Sequence, residues 1–259
     1  VPLFLGLVCG LAMLKPRSDS FLALLVVAAV ALAYAGLEGG PVLVPLAAKQ
    51  KLFYLFALVA IVVMTAPRKW RPVASSGVTL AAVLWLGFNK FSSSGIGPDS
   101  WHMLVPVIAI GLAMRPLGRK SQTGFEKPLT ALGFALGAAA LSLIGVFVGF
   151  VQVAGAKAAL TGGILLVSFV ANLQRSERAH LPDVVANALL LSVVLIGLVI
   201  GLLAPQINRP AFAILSLGPP LALVLPGFPS LPRPLQPVLQ GFLAVIPAIL
   251  AGTMAALLQ

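Results

Sequence analysis

Two ionisable side chains, Asp99 and His102, have the types and the spacing of an acid–base pair. They stand in the stretch FSSSGIGPDSWH between two apolar runs, three residues apart, so that at the start of a helix both reach the same face. A carboxylate that orients an imidazole can move a proton to or from a bound substrate. The other interpretation is an ordinary helix cap at Asp99 beside a histidine at the membrane interface. The pair is the catalytic candidate, with both interpretations open.

Other signatures of membrane enzymes are missing from the sequence. It contains no HExxH zinc motif, no aspartate-rich motif, no GxGD pair and no Walker motif. One cysteine and two histidines are too few for a transition-metal or haem site within this chain. The six acidic residues all fall in predicted loops or at helix ends, which argues against ion coupling through a carboxylate at the bilayer centre. We therefore expect no cofactor and no bound metal.

Polar side chains and prolines within apolar runs are the second group of candidates. An amide in a membrane helix commonly hydrogen-bonds to a neighbouring helix, and the alternative is that it lines a polar path for a neutral solute. Seven prolines interrupt residues 217–237, and a broken segment at membrane depth is tolerated only where protein buries it or where it lines a cavity. The candidates for a substrate path are Gln152, Asn172, Asn187, Pro219, Pro220 and Pro226.

The composition requires a membrane to surround these candidates. Of 259 residues, 60% are hydrophobic and only 9% are charged, and the mean hydropathy is +1.08. A water-soluble domain carries about 25% charged residues, so a soluble fold is excluded. The net charge of +11 is spread over short breaks between apolar runs, where basic residues contact lipid headgroups. Nucleic-acid binding is therefore not expected.

Continuous apolar runs of helical length predict an all-α fold, a polytopic transmembrane helical bundle of about ten spans that forms a single integral membrane domain over residues 1–259. The two proline-broken stretches, residues 39–51 and 217–237, are predicted to be re-entrant, broken or interfacial. The predicted spans are residues 1–14, 21–37, 52–66, 73–88, 101–114, 129–153, 158–173, 184–204, 211–225 and 238–258.

The distribution of basic residues predicts the orientation of the bundle. One set of alternate loops holds twelve lysines and arginines, and the other set, which includes Lys157, holds five. The richer set is expected on the cytoplasmic side, with both termini outside, in a bacterial inner membrane. The cytoplasmic loop 115–128 then separates two halves, residues 1–114 and 129–259, of inverted orientation.

Glycines at four-residue intervals predict where helices pack closely. Four of them form one stripe along a single face of the sixth span, and two repeat the spacing in the eighth. Such stripes let helix backbones approach each other within the chain, or between subunits. The glycines are Gly133, Gly137, Gly145, Gly149, Gly197 and Gly201.

Three functions are compatible with this sequence. The leading hypothesis is a multi-pass permease that moves a small or amphipathic solute. The first alternative is a non-catalytic subunit that anchors a larger membrane complex, and the second is a metal-independent transferase acting on a lipid-linked substrate. The expected partners are membrane lipids, together with other membrane subunits or further copies of the chain. A polar cavity near the midplane favours the permease, a solid core with a broad partner interface favours the subunit, and a cleft at one leaflet containing His102 or clustered arginines favours the transferase.

Overall fold

The computed structural model describes residues 1–14, 18–94, 124–174, 181–203, 208–218 and 235–258, and every regular element in those residues is helical. A short 3₁₀ turn, Arg68–Trp70, precedes the fourth α-helix. The α-helices, numbered here in chain order, are α1 Pro2–Met13, α2 Asp19–Glu38, α3 Ala48–Thr65, α4 Arg71–Ser94, α5 Glu126–Ile144, α6 Val148–Gln174, α7 Asp183–Leu203, α8 Arg209–Ser216 and α9 Leu235–Leu257.

Among the described residues, five helices are long and apolar enough to cross a membrane, namely α2, α5, α6, α7 and α9. The apolar stretches of α1, α3 and α4 are shorter, at Pro2–Met13, Gln50–Val62 and Val73–Gly87. The described part of the predicted ninth span is α8, whose eight residues are far fewer than the roughly 20 that a crossing needs. The predicted fifth span, residues 101–114, lies outside the described residues. The chain is thus an integral membrane protein by these five helices, and the described residues do not confirm the count of ten spans.

Several helix ends follow directly from local sequence signals. Ser18 caps α2, because its side-chain oxygen accepts a hydrogen bond from the Phe21 amide at 3.3 Å. The start of α7 has Asp183 in its first turn, where a carboxylate interacts favourably with the helix dipole. Both helices begin and end within a few residues of the predicted spans 21–37 and 184–204.

The chain turns at Gly145–Phe147, and not near Lys157 as the sequence predicted. The predicted span 129–153 is therefore wrong, because α5 ends at Ile144 and α6 runs from Val148 straight through Lys157. The Val146 amide donates to the Leu143 carbonyl at 3.1 Å, and the Phe147 amide donates to the Ser142 carbonyl at 2.7 Å. This pair of bonds is a Schellman motif, which satisfies carbonyls at a helix C-terminus.

Val146 occupies the left-handed position of this turn, with a φ of 55°. Glycine normally fills that position, whereas a β-branched side chain is strained there by about 1–2 kcal/mol. We expect Val146→Gly to relieve the strain and to raise the free energy of unfolding by about 1 kcal/mol, because the Val146 side chain is 73% exposed and loses little packing. Thermal unfolding in detergent measures the change. A lower unfolding temperature would contradict the strain at Val146.

Helix α7 is the central element of the bundle. Its apolar window is 94% buried, and α2, α3, α4, α5 and α6 all contact it. The sequence DVVANALLLSVVLIGLVIGLL is apolar on all sides, as expected for a helix that neighbours surround. The Ser192 hydroxyl in its middle donates to the Ala188 carbonyl at 2.8 Å, which satisfies the polar group without a partner helix.

Glycines set the close contacts of α5 with its neighbours. A methyl group built on Gly133 would lie 2.5 Å from the Ala244 carbonyl oxygen of α9, and one on Gly137 would lie 2.8 Å from the Ala248 Cβ. The contact moves from Gly133 and Ala244 to Gly137 and Ala248, in the same direction along both helices, so α5 and α9 run parallel. Small residues therefore lie at the contact between α5 and α9, where they let the two backbones approach closely.

The other stripe glycines have different surroundings. Gly197 of α7 faces the Phe134 ring of α5, where a methyl group would lie 2.5 Å from Cζ. Gly145 caps α5 and Gly149 begins α6, so neither continues the Gly133 and Gly137 face, and the single stripe predicted over the sixth span is wrong. Gly201 lies near the end of α7 and is half-buried. The predicted stripe is divided because α5 ends at Ile144, so Gly149 belongs to a different helix from Gly133 and Gly137.

Residues 39–47, part of the predicted re-entrant or interfacial segment, connect α2 to α3 without helix. The Gln50 side-chain oxygen accepts hydrogen bonds from the Leu46 amide at 3.0 Å and from the Ala47 amide at 3.1 Å. Leu43 is 96% exposed. The connection is thus an exposed apolar segment attached to the start of α3.

Candidate functional site

Five of the sequence candidates lie outside the described residues. They are the proposed acid–base pair, Asp99 and His102, and the prolines Pro219, Pro220 and Pro226. Both interpretations of Asp99 and His102 therefore remain as the sequence left them.

The three amide candidates for a substrate path are far apart. Gln152 is exposed near the start of α6, and Asn172 is half-buried near its end. A helix of 27 residues is about 40 Å long, so these two side chains lie toward opposite ends of the membrane. Asn187 is buried on α7 and belongs to a separate cluster. The described residues therefore do not bring the three amides together.

Asn187 belongs to a buried polar cluster where the first turns of α5 and α7 meet. The Lys127 ammonium donates to the Asn187 Oδ1 atom at 2.8 Å and lies 3.6 Å from the Asp183 Oδ1 atom. Lys127 is 3% exposed, although the sequence predicted it in a basic cytoplasmic loop. An amine at this depth requires paired oxygens, which Asp183 and Asn187 provide. The cluster therefore joins α5 to α7, and it gives Asn187 a structural partner.

Lys157 is a buried lysine within the membrane-spanning helix α6. It is 3% exposed, and its Nζ atom has no hydrogen-bond partner among the described residues. It lies about 13 Å along α6 from Val148, farther from that helix end than a lysine side chain reaches. The prediction that Lys157 lies in an outer loop is wrong, because the helix continues through it. An ionisable residue inside a membrane helix is expensive and commonly marks a path for a solute or an ion.

A small cavity of about 20 Å³ lies beside Lys157. Its walls come from four helices, with Tyr34 from α2, Phe56 from α3, Lys157 from α6 and Ile196 from α7 among the lining residues. A polar cavity needs about 10–15 Å³ to hold one water molecule, so this one has room for a single small species. Lys157 is the one basic residue among those that line it.

A second unpartnered polar group lies one turn further along α6. The Thr161 hydroxyl is fully buried and has no hydrogen-bond partner among the described residues. Residues four apart on a helix share a face, with their Cβ atoms about 5–6 Å apart. Cys9 of α1 also interacts electrostatically with Lys157. Two buried donors, the amine and the hydroxyl, thus lie one helix turn apart without an acceptor from the described residues, and of the two residues it is Lys157 that lines the cavity.

A larger apolar space of about 310 Å³ opens on the other face of α6, between that helix, α5 and α9. Phe125, Leu129, Leu165, Phe169 and Val238 are among its lining residues. Aliphatic and aromatic walls of this kind suit hydrocarbon. The space differs in character from the cavity at Lys157, which contains a charge.

Sequence reasoning missed both the burial of Lys157 and the close pairing of α1 with α6. A signal for the pairing was present, since Gly6 and Gly10 form a GxxxG motif in α1. A methyl group on Gly10 would lie 2.7 Å from the Val167 Cβ, and one on Gly6 would overlap the Leu160 carbonyl. For Lys157, the uninterrupted helix-forming run AGAKAAL around it was the available signal.

The described residues contain no group of three or more His, Cys, Asp or Glu side chains that could hold a metal ion. Comparisons of the chain with protein-family models, with curated proteins and with solved structures find no match.

Proposed function

We propose that the chain is a multi-pass membrane permease that moves a small or amphipathic solute, and that Lys157 lies beside the solute path. One observation carries this proposal: a fully buried amine within a membrane-spanning helix, without a hydrogen-bond partner among the described residues, borders a cavity. Intramembrane ionisable residues usually face a pathway or a wet cavity, because burial in lipid or in an apolar core is unfavourable. Four helices meet at this point, as expected for a site within a bundle.

The proposed orientation has both termini outside a bacterial inner membrane. The alternation of spans behind it is supported by helix directions, since the contacts of Gly6 and Gly10 with Leu160 and Val167 make α1 parallel to α6. In the predicted order, α1 is the first span and α6 is the seventh. Two odd-numbered spans cross the membrane in the same direction, so these helices must be parallel. Because Lys157 lies within α6, the proposed outer loops hold one basic residue fewer than predicted. The excess of basic residues on the proposed cytoplasmic side is therefore larger.

A second candidate function is a non-catalytic subunit that anchors a larger complex. The dense packing around α7, whose apolar window is 94% buried, favours it, because a scaffold needs a solid core. A proposed lipid-linked transferase depends on Asp99 and His102, which lie outside the described residues. Transport separates the first two candidates, since a subunit of this kind moves no solute by itself.

Swelling of proteoliposomes tests the permease. Vesicles containing the purified chain and valinomycin, which carries potassium, are diluted into iso-osmotic potassium chloride, potassium lactate, potassium butyrate or glycerol, and light scattering follows the swelling. We expect at least one solute to enter at least tenfold faster than it enters protein-free vesicles. Rates equal to those of protein-free vesicles for all four solutes would contradict the permease and favour the subunit.

Two lysine variants connect the transport to the site. Lys157→Met removes the buried charge, whereas Lys51→Met removes a lysine outside the cavity, whose ammonium donates to the Trp85 carbonyl at 3.0 Å and lies 5.6 Å from the Trp85 ring centroid. We expect Lys157→Met to reduce the accelerated uptake at least tenfold and Lys51→Met to leave it within twofold. Equal uptake in both variants would remove Lys157 from the path.

A further inference from the structure

The cavity at Lys157 is close in size to a monatomic ion and is lined by one basic group. We propose that Lys157, together with the Thr161 hydroxyl, binds a single halide ion of about the size of chloride inside the bundle. This inference deepens the proposed permease by identifying a ligand class for its site. Binding and transport are measured separately, so either proposal can fail without the other.

The charge of the site favours an anion. The lining side chains include the Lys157 amine and no carboxylate. Lys157 and Thr161 both present buried donors that no described residue accepts, and a buried donor without an acceptor is unfavourable by about 1–3 kcal/mol or more. An anion accepts hydrogen bonds from both groups and also neutralises the ammonium form of Lys157. A water molecule accepts hydrogen bonds but carries no charge.

The volume of the site favours an anion of one atom. A cavity of about 20 Å³ accommodates one particle close to a water molecule in size. Carboxylate, phosphate and sulfate groups each place several heavy atoms around a centre and exceed this space. The apolar walls, which include Val30, Phe56, Leu160 and Ile196, favour a weakly hydrated ion over one that keeps its water shell.

The two donors are held firmly at this position. Lys157 and Thr161 share one face of α6, and a different face of that helix packs against α1 through Gly163, where a methyl group would lie 2.7 Å from the Leu3 carbonyl oxygen. Tyr34 on α2 closes the cavity from the opposite wall, with its ring 6.1 Å from the Phe56 ring in an edge-to-face arrangement. A preorganised pocket of this kind binds its ion with little loss of side-chain freedom.

Thermal unfolding of the purified full chain in detergent tests the site. Potassium bromide is exchanged for potassium gluconate at constant ionic strength, because gluconate is too large for the cavity. A ligand that binds only the folded state raises the unfolding temperature, and we expect a rise of about 2–4 °C in bromide. We expect the rise to be absent in Lys157→Met, reduced in Thr161→Val, and unchanged in Lys51→Met.

Two outcomes would overturn the proposal. One is an unfolding temperature that is the same in bromide and in gluconate, which would mean that the cavity holds water. The other is an equal bromide effect in Lys157→Met. Should that variant not fold, crystals of the unaltered chain soaked in bromide decide, because anomalous scattering locates the ion. A peak within hydrogen-bond distance of the Lys157 Nζ atom supports the site, and its absence from that position contradicts it.

Discussion

Replacing Gly137 with leucine is expected to prevent the chain from folding into a monodisperse particle in detergent. Gly137 on α5 faces α8 and α9, where even a methyl group would overlap the Leu215 side chain and would lie 2.8 Å from the Ala248 Cβ and 3.1 Å from its Cα. Leucine adds three further carbons at this point. Overpacking costs about 1–3 kcal/mol in well-packed sites and more when a backbone blocks the new side chain, so we expect a loss above about 3 kcal/mol.

Size-exclusion chromatography and thermal unfolding measure this loss. The matched control is Gly252→Leu on α9, because no atom lies within 4 Å of a methyl group built on Gly252. We expect the control to elute and unfold like the original chain. Unchanged stability of Gly137→Leu would show that α5 and α9 do not pack as described.

A double mutant distinguishes a local clash from a general intolerance of α5. Gly137→Ala alone should lower the free energy of unfolding by about 1–3 kcal/mol. Leu215→Ala removes the side chain that a new methyl group meets first and leaves a cavity of its own. If the clash is local, the double mutant loses less stability than the sum of the two single variants, since residues in contact are not additive.

The helical class of the fold and many helix ends could be predicted because they depend on local chemistry. Hydrophobic runs without alternation leave the backbone in lipid no arrangement except a helix, and a residue such as Ser18 specifies where α2 begins. The turn at Gly145–Phe147 could not be predicted in this way. Its left-handed residue is Val146, where sequence rules expect glycine, and Lys157 resembled a loop residue.

The candidate site depended on contacts that no local pattern contains. Lys127 and Lys157 both read as loop lysines, yet one is buried against Asp183 and Asn187 while the other borders a cavity. What separates them is which helices lie beside them, and that depends on pairing between distant parts of the chain. Charge patterning failed at these two lysines because it treats every lysine as exposed.

Replacing Gly163 with alanine is expected to separate α1 from α6. A methyl group on Gly163 would lie 2.7 Å from the Leu3 carbonyl oxygen, 2.9 Å from the Leu7 amide nitrogen and 3.0 Å from the Gly6 carbonyl carbon. All three atoms belong to the backbone of α1, so no side-chain rotation can relieve the overlap. The helices must move apart, and we expect the free energy of unfolding to fall by about 2–3 kcal/mol.

The neighbouring glycine provides the matched control, because a methyl group on Gly162 would meet no atom within 4 Å. Gly162→Ala should therefore leave the stability within about 1 kcal/mol, and any gain would come from the better helix propensity of alanine. Cys9 on α1 reports the separation directly, since it is the single cysteine of the chain and is 2% exposed. If α1 loosens, a maleimide labels Cys9 at least tenfold faster in Gly163→Ala than in Gly162→Ala. Equal labelling rates together with equal stability would mean that glycine backbone contacts do not hold α1 on α6.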